Sequence, residues 1–300
     1  VFQIARLDGV FRLTQSLWKK NNESRMNSQT VDFREFATLK RRWVIGFLLQ
    51  VRPQVLASML KRLLGIRREV VRVHGGFRLW LDPVSNPARF FLFGKPYEPE
   101  VSGLIEGLLQ PGDVFVDVGA NEGVFSVLAG LRVGEGGRVI AVEPQQRLHR
   151  VLLRNRSLNG LGSVMTILAM GLGAELGEST LELASDLNTG ASGRRRVWSI
   201  GAGRQKMRVA PLDKVVRKLG LETIRLIKVD CEGGEVEVIA GARRTLSAGK
   251  VGALLVEYHP HVIGERACQE LDETIRGFGF GARSIGEHHV LYEREGVLRP

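Results

Sequence analysis

From residue 100 onward the apolar positions alternate between two periods. Short, nearly continuous apolar runs stand at 114–118 ("VFVDV"), 137–144 ("GRVIAVEP"), 164–173 ("VMTILAMGLG"), 224–230 ("IRLIKVD") and 251–259 ("VGALLVEYH"). Runs of that length without polar alternation predict strands buried on both faces. Between them, "EVSGLIEGLL" (100–109), "VFSVLAGLRV" (124–133), "RLHRVLLRNRSLNG" (147–160) and "EVEVIAGARRTL" (235–246) space their apolar residues as helices do, with "PGD" and Asn159-Gly160 as stops. A further strand is predicted at 178–184 ("ESTLELA"). Strands and helices in this rhythm specify an α/β fold, a doubly wound, mostly parallel, Rossmann-like sheet.

Upstream the pattern is different. "VVRVHGGFRLWLD" (70–82) alternates apolar and polar residues around Gly75-Gly76, a hairpin signal, and Pro83 and Pro87 break the chain after it. Residues 1–40 are polar and irregular, and 43–66 cluster apolar residues among basic ones as a pair of amphipathic helices would. The chain therefore divides into a basic, partly helical N-terminal extension (1–69) and a catalytic-looking domain (70–300). One segment, 186–209, is rich in Gly, Ser and Arg without a sustained period, and reads as a long loop whose Arg194, Arg195 and Arg196 form a positive patch. No internal repeat is present.

Charge sharpens this division. The net charge is +11, yet residues 1–70 hold 14 Lys/Arg against 5 Asp/Glu, so the excess belongs to the extension. A solvated basic surface is the plainest reading, and contact of 41–68 with an anionic membrane surface is the alternative. Packing of the apolar side of this segment on the next domain is the plainer expectation for it. The longest apolar run there, "WVIGFLLQV" (43–51), is half of what a spanning helix needs and stands too far in for a signal peptide. Apolar content of 44% and charged content of 25% are those of a globular chain. Two distant cysteines, Cys231 and Cys268, form no metal pair and suggest a reducing compartment, hence a cytoplasmic protein, peripheral to a membrane if the extension binds one. The chain starts at Val1 rather than Met, as a trimmed chain or a fragment would.

The chemistry is concentrated after the strands. "DVGANEG" (117–123) turns the first strand into a helix, but Asn121 and Val124 stand where a dinucleotide fingerprint starting at Gly119 needs glycine. In an open α/β sheet, ligands bind beyond the carboxyl ends of the strands, and Glu143 closes the second strand 20 residues after Gly123, where a carboxylate can accept both hydroxyls of a ribose. An adenosine-containing cofactor fits. Asp117 and Glu122 oppose a pyrophosphate and suit the amino group or sulfonium of S-adenosylmethionine.

"YEPE" (97–100), "DVGANEG", "VEP" (142–144), "APLD" (210–213), "IKVDCEGGEVEVIAGA" (227–242) and "VEYHP" (256–260), in this order, resemble the FkbM-type methyltransferases over residues 70–290. The resemblance implies a class I methyltransferase fold, S-adenosylmethionine as cofactor, and a hydroxyl as the common acceptor. It implies cofactor binding by Asp117, Gly119, Asn121 and Glu143; Ala120 and Gly123, in the same loop, join that set. The family more often has D-V-E-G-A-E where this chain has "DCEGGE", and residues 1–70 match nothing in it.

"KVDCEGGE" (228–235) brings Lys228, Asp230, Glu232 and Glu235 to the end of a buried strand. Methyl transfer to a hydroxyl needs alignment, a dry site and removal of a proton. Asp230 and Glu232 are the first candidates for that proton, His259 the next, and Lys228 would stabilise an alkoxide or hold a carboxylate. Glu235 reads as either a site residue or the solvated start of a helix, and Glu237 as part of that solvated start. His259 and His261 alone do not make a metal site, and none is expected; His288 and His289 read as surface or hairpin residues. The expected activity is S-adenosylmethionine-dependent O-methylation of a small molecule or glycan. The alternatives are N-methylation, a protein or RNA acceptor, and a non-catalytic cofactor-binding or membrane-surface scaffold. Nucleic acid is not an expected partner, because the basic segment lacks interleaved aromatics.

Overall fold

The computed structural model describes residues 39–51, 54–73, 75–92, 95–183 and 203–294. The chain divides into two units, Val1–Arg34 and Glu35–Pro300, and the described residues all belong to the second. Arg194, Arg195 and Arg196 lie outside the described residues.

Helices α1 (Leu39–Gln50) and α2 (Gln54–Leu63) come first. Ile45, Leu48 and Ala57 pack with Ile66 and Val84 into a small core. Lys61 pairs with Asp82, and Arg68 with the buried Glu122, so the segment is tied to the chain after it by charge as well as by apolar contact. Phe47, Leu56, Met59, Leu63 and Leu64 stay exposed. No helix among the described residues is long and apolar enough to cross a membrane.

Strands β1 (Glu69–Arg72) and β2 (Arg78–Leu81) form the expected hairpin, Val71 opposite Leu79. Two short helices follow, α3 (Asn86–Leu92) and α4 (Pro99–Leu108), the latter opened by a proline that needs no N–H in a first turn. The alternating part then runs β3 (Val114–Val118), α5 (Val124–Val133), β4 (Arg138–Val142), α6 (Gln146–Leu158) and β5 (Met165–Leu168). Next come β6 (Gly171–Leu172), β7 (Gly177–Glu182), β8 (Arg204–Ala210), α7 (Leu212–Leu219), β9 (Ile224–Val229), α8 (Glu235–Ala240) and α9 (Arg243–Ser247). The chain closes through β10 (Val251–Glu257), α10 (Pro260–Ile263), α11 (Glu265–Gly277), β11 (Phe280–Ile285) and β12 (His289–Arg294).

Seven strands form one sheet in the order β11-β12-β10-β9-β3-β4-β5. Strands β10, β9, β3, β4 and β5 are parallel, and β12 is antiparallel to both its neighbours. Two apolar cores sandwich the sheet. Phe115, Leu226 and Leu255 face one with α4 and α5; Val116, Ile227, Val229 and Leu254 face the other with α7 and α8. Burial on both faces is why these strands read as unbroken apolar runs. Helix α5 is nearly enclosed, which explains its lack of a polar face.

Two expectations are corrected. The run 164–173 is split, because only β5 joins the main sheet while β6 pairs with β8 in a separate three-stranded sheet, order β6-β8-β7. The end of the supposed loop is strand β8, whose mixed composition "RQKMRVA" hid it.

The hairpin is fastened to the main domain by buried Asn155 of α6. Its Oδ1 accepts the Trp80 N–H at 2.6 Å and its Nδ2 donates to the Glu122 carbonyl at 2.7 Å. Removing both partners at once leaves a buried donor and acceptor unsatisfied, at about 1–3 kcal/mol. Asn155→Ala is expected to lower the thermal midpoint by about 2–6 °C. Calorimetry showing no shift would mean that Asn159, which clasps Arg78 through both its backbone groups, carries the junction instead.

Candidate active site

The loops after β3 and β9 touch, and glycine is what permits it. A Cβ on Gly119, at φ +84°, would stand 1.8 Å from the Asp230 carbonyl oxygen. Asp230 N–H donates back to the Val118 carbonyl at 3.1 Å, and the N–H groups of Gly119 and Ala120 both donate to the Val142 carbonyl at 3.0 Å. The loop ends of β3, β4 and β9 are thus tied into one rim. Gly123 has a packing role as well, since a Cβ there would press on Leu152 of α6 at 2.7 Å. The glycines of "DVGANEG" therefore answer to neighbouring backbone and side chains, a cause the sequence does not display.

Above this rim lies a crevice open to solvent. Gly119 and Asn121 of the β3 loop line it, flanked by Glu143 past β4 and by Asp230 and Glu232 past β9, with apolar walls from Val142, Met170, Leu172, Leu181 and Met207. Of the expected cofactor residues, Gly119, Asn121 and Glu143 border the crevice. Ala120 is buried beside it, Gly123 packs on α6, and Asp117 lies beneath the loop. Asp117 accepts a hydrogen bond from Ser126 at 2.5 Å, while its Oδ1 has no donor among the described residues. Leu181 and Met207 were not legible as site residues, because they come from the three-stranded sheet.

Glu143 is 2% exposed. Its two oxygens accept the N–H groups of Asn121 and Gln145, each at 2.8 Å. Burial pushes its pKa up to about 7, these N–H groups only partly offsetting the cost of an ionised carboxylate away from water.

The β9 side is acidic. Lys228, 1% exposed, donates to Asp230 Oδ2 at 2.7 Å and stands 5.2 Å from the Phe125 ring centre. Burial would lower the Lys228 pKa, but Asp230, Asp117 and Glu98 outweigh it and leave the ammonium firmly charged. Burial raises the Asp230 pKa despite Lys228, with Glu257 and Glu98 adding repulsion. Lys228 thus holds a carboxylate in place, one of its two expected roles.

His259 lies just past β10, and its Nδ1 is 2.9 Å from Glu235 Oε1. Its Nε2 faces Glu232 at 3.7 Å and Glu257 at 3.8 Å. Burial lowers its pKa, but the Glu235 hydrogen bond and the surrounding carboxylates prevail and raise it to about 9. Of the two readings of Glu235, the solvated helix start fails, because the residue is fully buried on His259. His289 stands in the β11–β12 hairpin, as one of its two readings had it, but not on the open surface. It sits opposite Glu257 in the β10–β12 register, 3.5 Å from that carboxylate and 3.7 Å from Glu98. His288 is exposed, as expected. Glu98 and His289 carried no signal as site residues, whereas Glu257, like His259, stands at a strand's carboxyl end, where site residues belong. Cys231 lines the crevice with its thiol pKa raised by burial.

A doubly wound sheet with this rim and crevice is the fold of class I S-adenosylmethionine-dependent methyltransferases. The chain belongs to the FkbM methyltransferase family: the methyltransferase FkbM domain matches residues 117–281. Among curated proteins it is similar to the AMB antimetabolite synthetase AmbE of Pseudomonas aeruginosa, 28% identical over 212 residues, which is 58% of this chain and 10% of the relative. The chain thus spans about a tenth of that relative's length. Among solved structures it is similar to an S-adenosylmethionine-dependent O-methyltransferase of Thermotoga maritima, at TM-score 0.41 and 12% identity, covering 76% of this chain and 78% of that one. It is also similar to the O-methyltransferase TomG of Streptomyces achromogenes, involved in tomaymycin synthesis, at TM-score 0.42 and 11% identity, covering 66% and 79%.

The residues present fit S-adenosylmethionine. Glu143 offers a buried acceptor pair, the Asp117 oxygen without a donor adds negative potential beneath the loop, and the apolar walls suit an adenine ring. If ionised Glu143 receives the cofactor's hydroxyls, protonation removes an acceptor and affinity falls. Calorimetric titration between roughly pH 5.5 and 8.5 should give a cofactor Kd that is flat above about 7 and rises below it by up to about tenfold per pH unit. Glu143→Gln should bind more weakly with that pH dependence gone. A variant that kept the wild-type slope would assign the proton to another group.

Proposed function

We propose that the protein methylates a hydroxyl oxygen on a small molecule or a sugar. The observation that carries this reading is the position of Glu232, which lines the crevice past β9, across the β3 loop from Glu143 past β4. A hydroxyl must lose its proton as the methyl group arrives, whereas a neutral amine can attack first and lose its proton later, so a carboxylate at the acceptor end favours oxygen. Bound S-adenosylmethionine supplies the methyl group on a sulfonium, the C–S bond breaking with its electron pair left on sulfur as the new C–O bond forms.

The chain's own residues account for the rest. Glu232 takes the hydroxyl proton. Its φ of +50° is a conformation that side chains other than glycine and asparagine rarely adopt, and it turns the residue into the crevice beside His259. Lys228 fixes Asp230 as the wall next to it, and the contact between Gly119 and Asp230 sets the distance between cofactor loop and acceptor end. The part of the chain shared with an antimetabolite synthetase supports a small-molecule acceptor.

Glu232→Gln keeps the shape and removes the base. It is expected to lower kcat by about 100-fold or more while the cofactor Kd stays within about threefold. The assay is methyl transfer from labelled S-adenosylmethionine to matched panels of alcohols, sugars and amines, with the methylated atom located by NMR. Products methylated only on nitrogen, or undiminished turnover in the variant, would sink the reading.

A further inference from the structure

Asp230, Glu257 and His259 each offer one ligand atom, and these atoms lie within 4.8 Å of one another at the ends of β9 and β10. Around them the structure repeats one arrangement. Lys228 holds an oxygen of Asp230 at 2.7 Å, His289 stands 3.5 Å from Oε2 of Glu257, and Glu235 binds Nδ1 of His259 at 2.9 Å. Two of the three side chains, Asp230 and His259, are oriented by a hydrogen bond with an outer neighbour, and the third has His289 beside it. That is how metal ligands are supported: a second group fixes the tautomer and the ring or carboxylate orientation.

An independent observation comes from the histidine. The His259 side chain is 7% exposed, and its Nε2 makes no hydrogen bond to any described residue; the nearest oxygens, on Glu232 and Glu257, stand at 3.7 and 3.8 Å. A ring nitrogen facing two carboxylates at that range is paired with them by charge alone, too far for a hydrogen bond, and has room for an ion between. Ligands of one small divalent ion lie about 2.1 Å from it, hence about 3 Å apart when adjacent and about 4.2 Å when opposite. The carboxylates reach that geometry by small rotations, drawn inward by the ion that offsets their repulsion.

We propose that Asp230, Glu257 and His259 hold one divalent cation of the Mg²⁺ or Mn²⁺ class, which carries the acceptor through two adjacent oxygens. Two carboxylates and an imidazole leave open positions on a six-coordinate ion, and carboxylate-rich sites of this kind suit these metals. An acceptor with neighbouring oxygens, a vicinal diol or an α-hydroxy acid, fills two of them. The ion lowers the pKa of the bound hydroxyl, Glu232 receives its proton, and the oxygen is held toward the crevice. The ion's role in transfer rests on the hydroxyl reading above; its binding does not.

The test uses the full chain, dialysed against EDTA and titrated with Mn²⁺ followed by electron paramagnetic resonance and calorimetry, without cofactor or acceptor. One ion is expected to bind, and Mg²⁺ should displace it. Glu257→Gln and His259→Asn should each weaken binding by about 10-fold or more. His261→Asn should leave it unchanged, since His261 is exposed with its ring 5.8 Å from that of His259. Circular dichroism establishes that each variant is folded, and Glu257→Asp, which keeps the charge, should bind better than Glu257→Gln. Absence of saturable binding in the folded wild-type protein, or equal binding in wild type and the two ligand variants, overturns the site. Binding with methyl transfer unchanged in EDTA overturns the ion's role while leaving the hydroxyl reading standing.

Discussion

The buried ammonium of Lys228 is the interaction on which both halves of the site depend. It lies opposite Asp117 in the β3–β9 register, donates to Asp230 and stands against the ring of Phe125. Without it, Asp117 beneath the β3 loop and Asp230 at the end of β9 would both lose the cation that favours their ionised forms. Truncating one partner of such a buried pair costs about 3–5 kcal/mol, because the charge left behind has no compensation. A single side chain on β9 thereby makes it possible to put acidic groups under one loop and at the end of the next.

Topology then determines what gathers around it. The parallel strands β10, β9, β3 and β4 all end at one edge, so residues far apart in sequence emerge together there. The antiparallel β12 starts at that edge and brings His289 opposite Glu257, while Glu98, at the entrance to α4, closes on the same histidine. Backbone strain follows the same geography. The non-glycine residues with positive φ among the described residues are Glu98, Asn121 and Glu232, and all three border the site. Strain of about 1–3 kcal/mol at such positions persists only where surrounding structure enforces it, and it is concentrated at functional sites.

Much of this was legible in the sequence, for a definable reason. Strands buried on both faces leave unbroken apolar runs, and strand ends in a parallel sheet are the site, so Glu143, Asp230 and His259 could be located by counting. What could not be counted was pairing. Strand β6 has two residues and β8 is half polar, so the three-stranded sheet, and Leu181 and Met207 with it, had no periodic signal. His289 depends on the register of an antiparallel strand inserted between β10 and β11, and Glu235 on a tertiary contact with a histidine 24 residues away. The purpose of Gly119 was hidden in the same way, since its missing Cβ is occupied by a carbonyl from another strand's loop.

The charge of the whole chain and the charge of the site have opposite signs, and the difference bears on the acceptor. The chain as a whole carries +11, most of it in residues 1–70, whereas the ends of β9 and β10 gather Glu98, Asp230, Glu232, Glu235 and Glu257 around Lys228, His259 and His289. Coulomb energy among such groups is largest where water is scarce, so an anionic acceptor would meet repulsion on entering and a neutral one would not. The sulfonium of the cofactor meets the reverse, an attractive field from both sides of the crevice. Such a field disfavours an anionic acceptor unless a cation stands between its oxygens and the carboxylates.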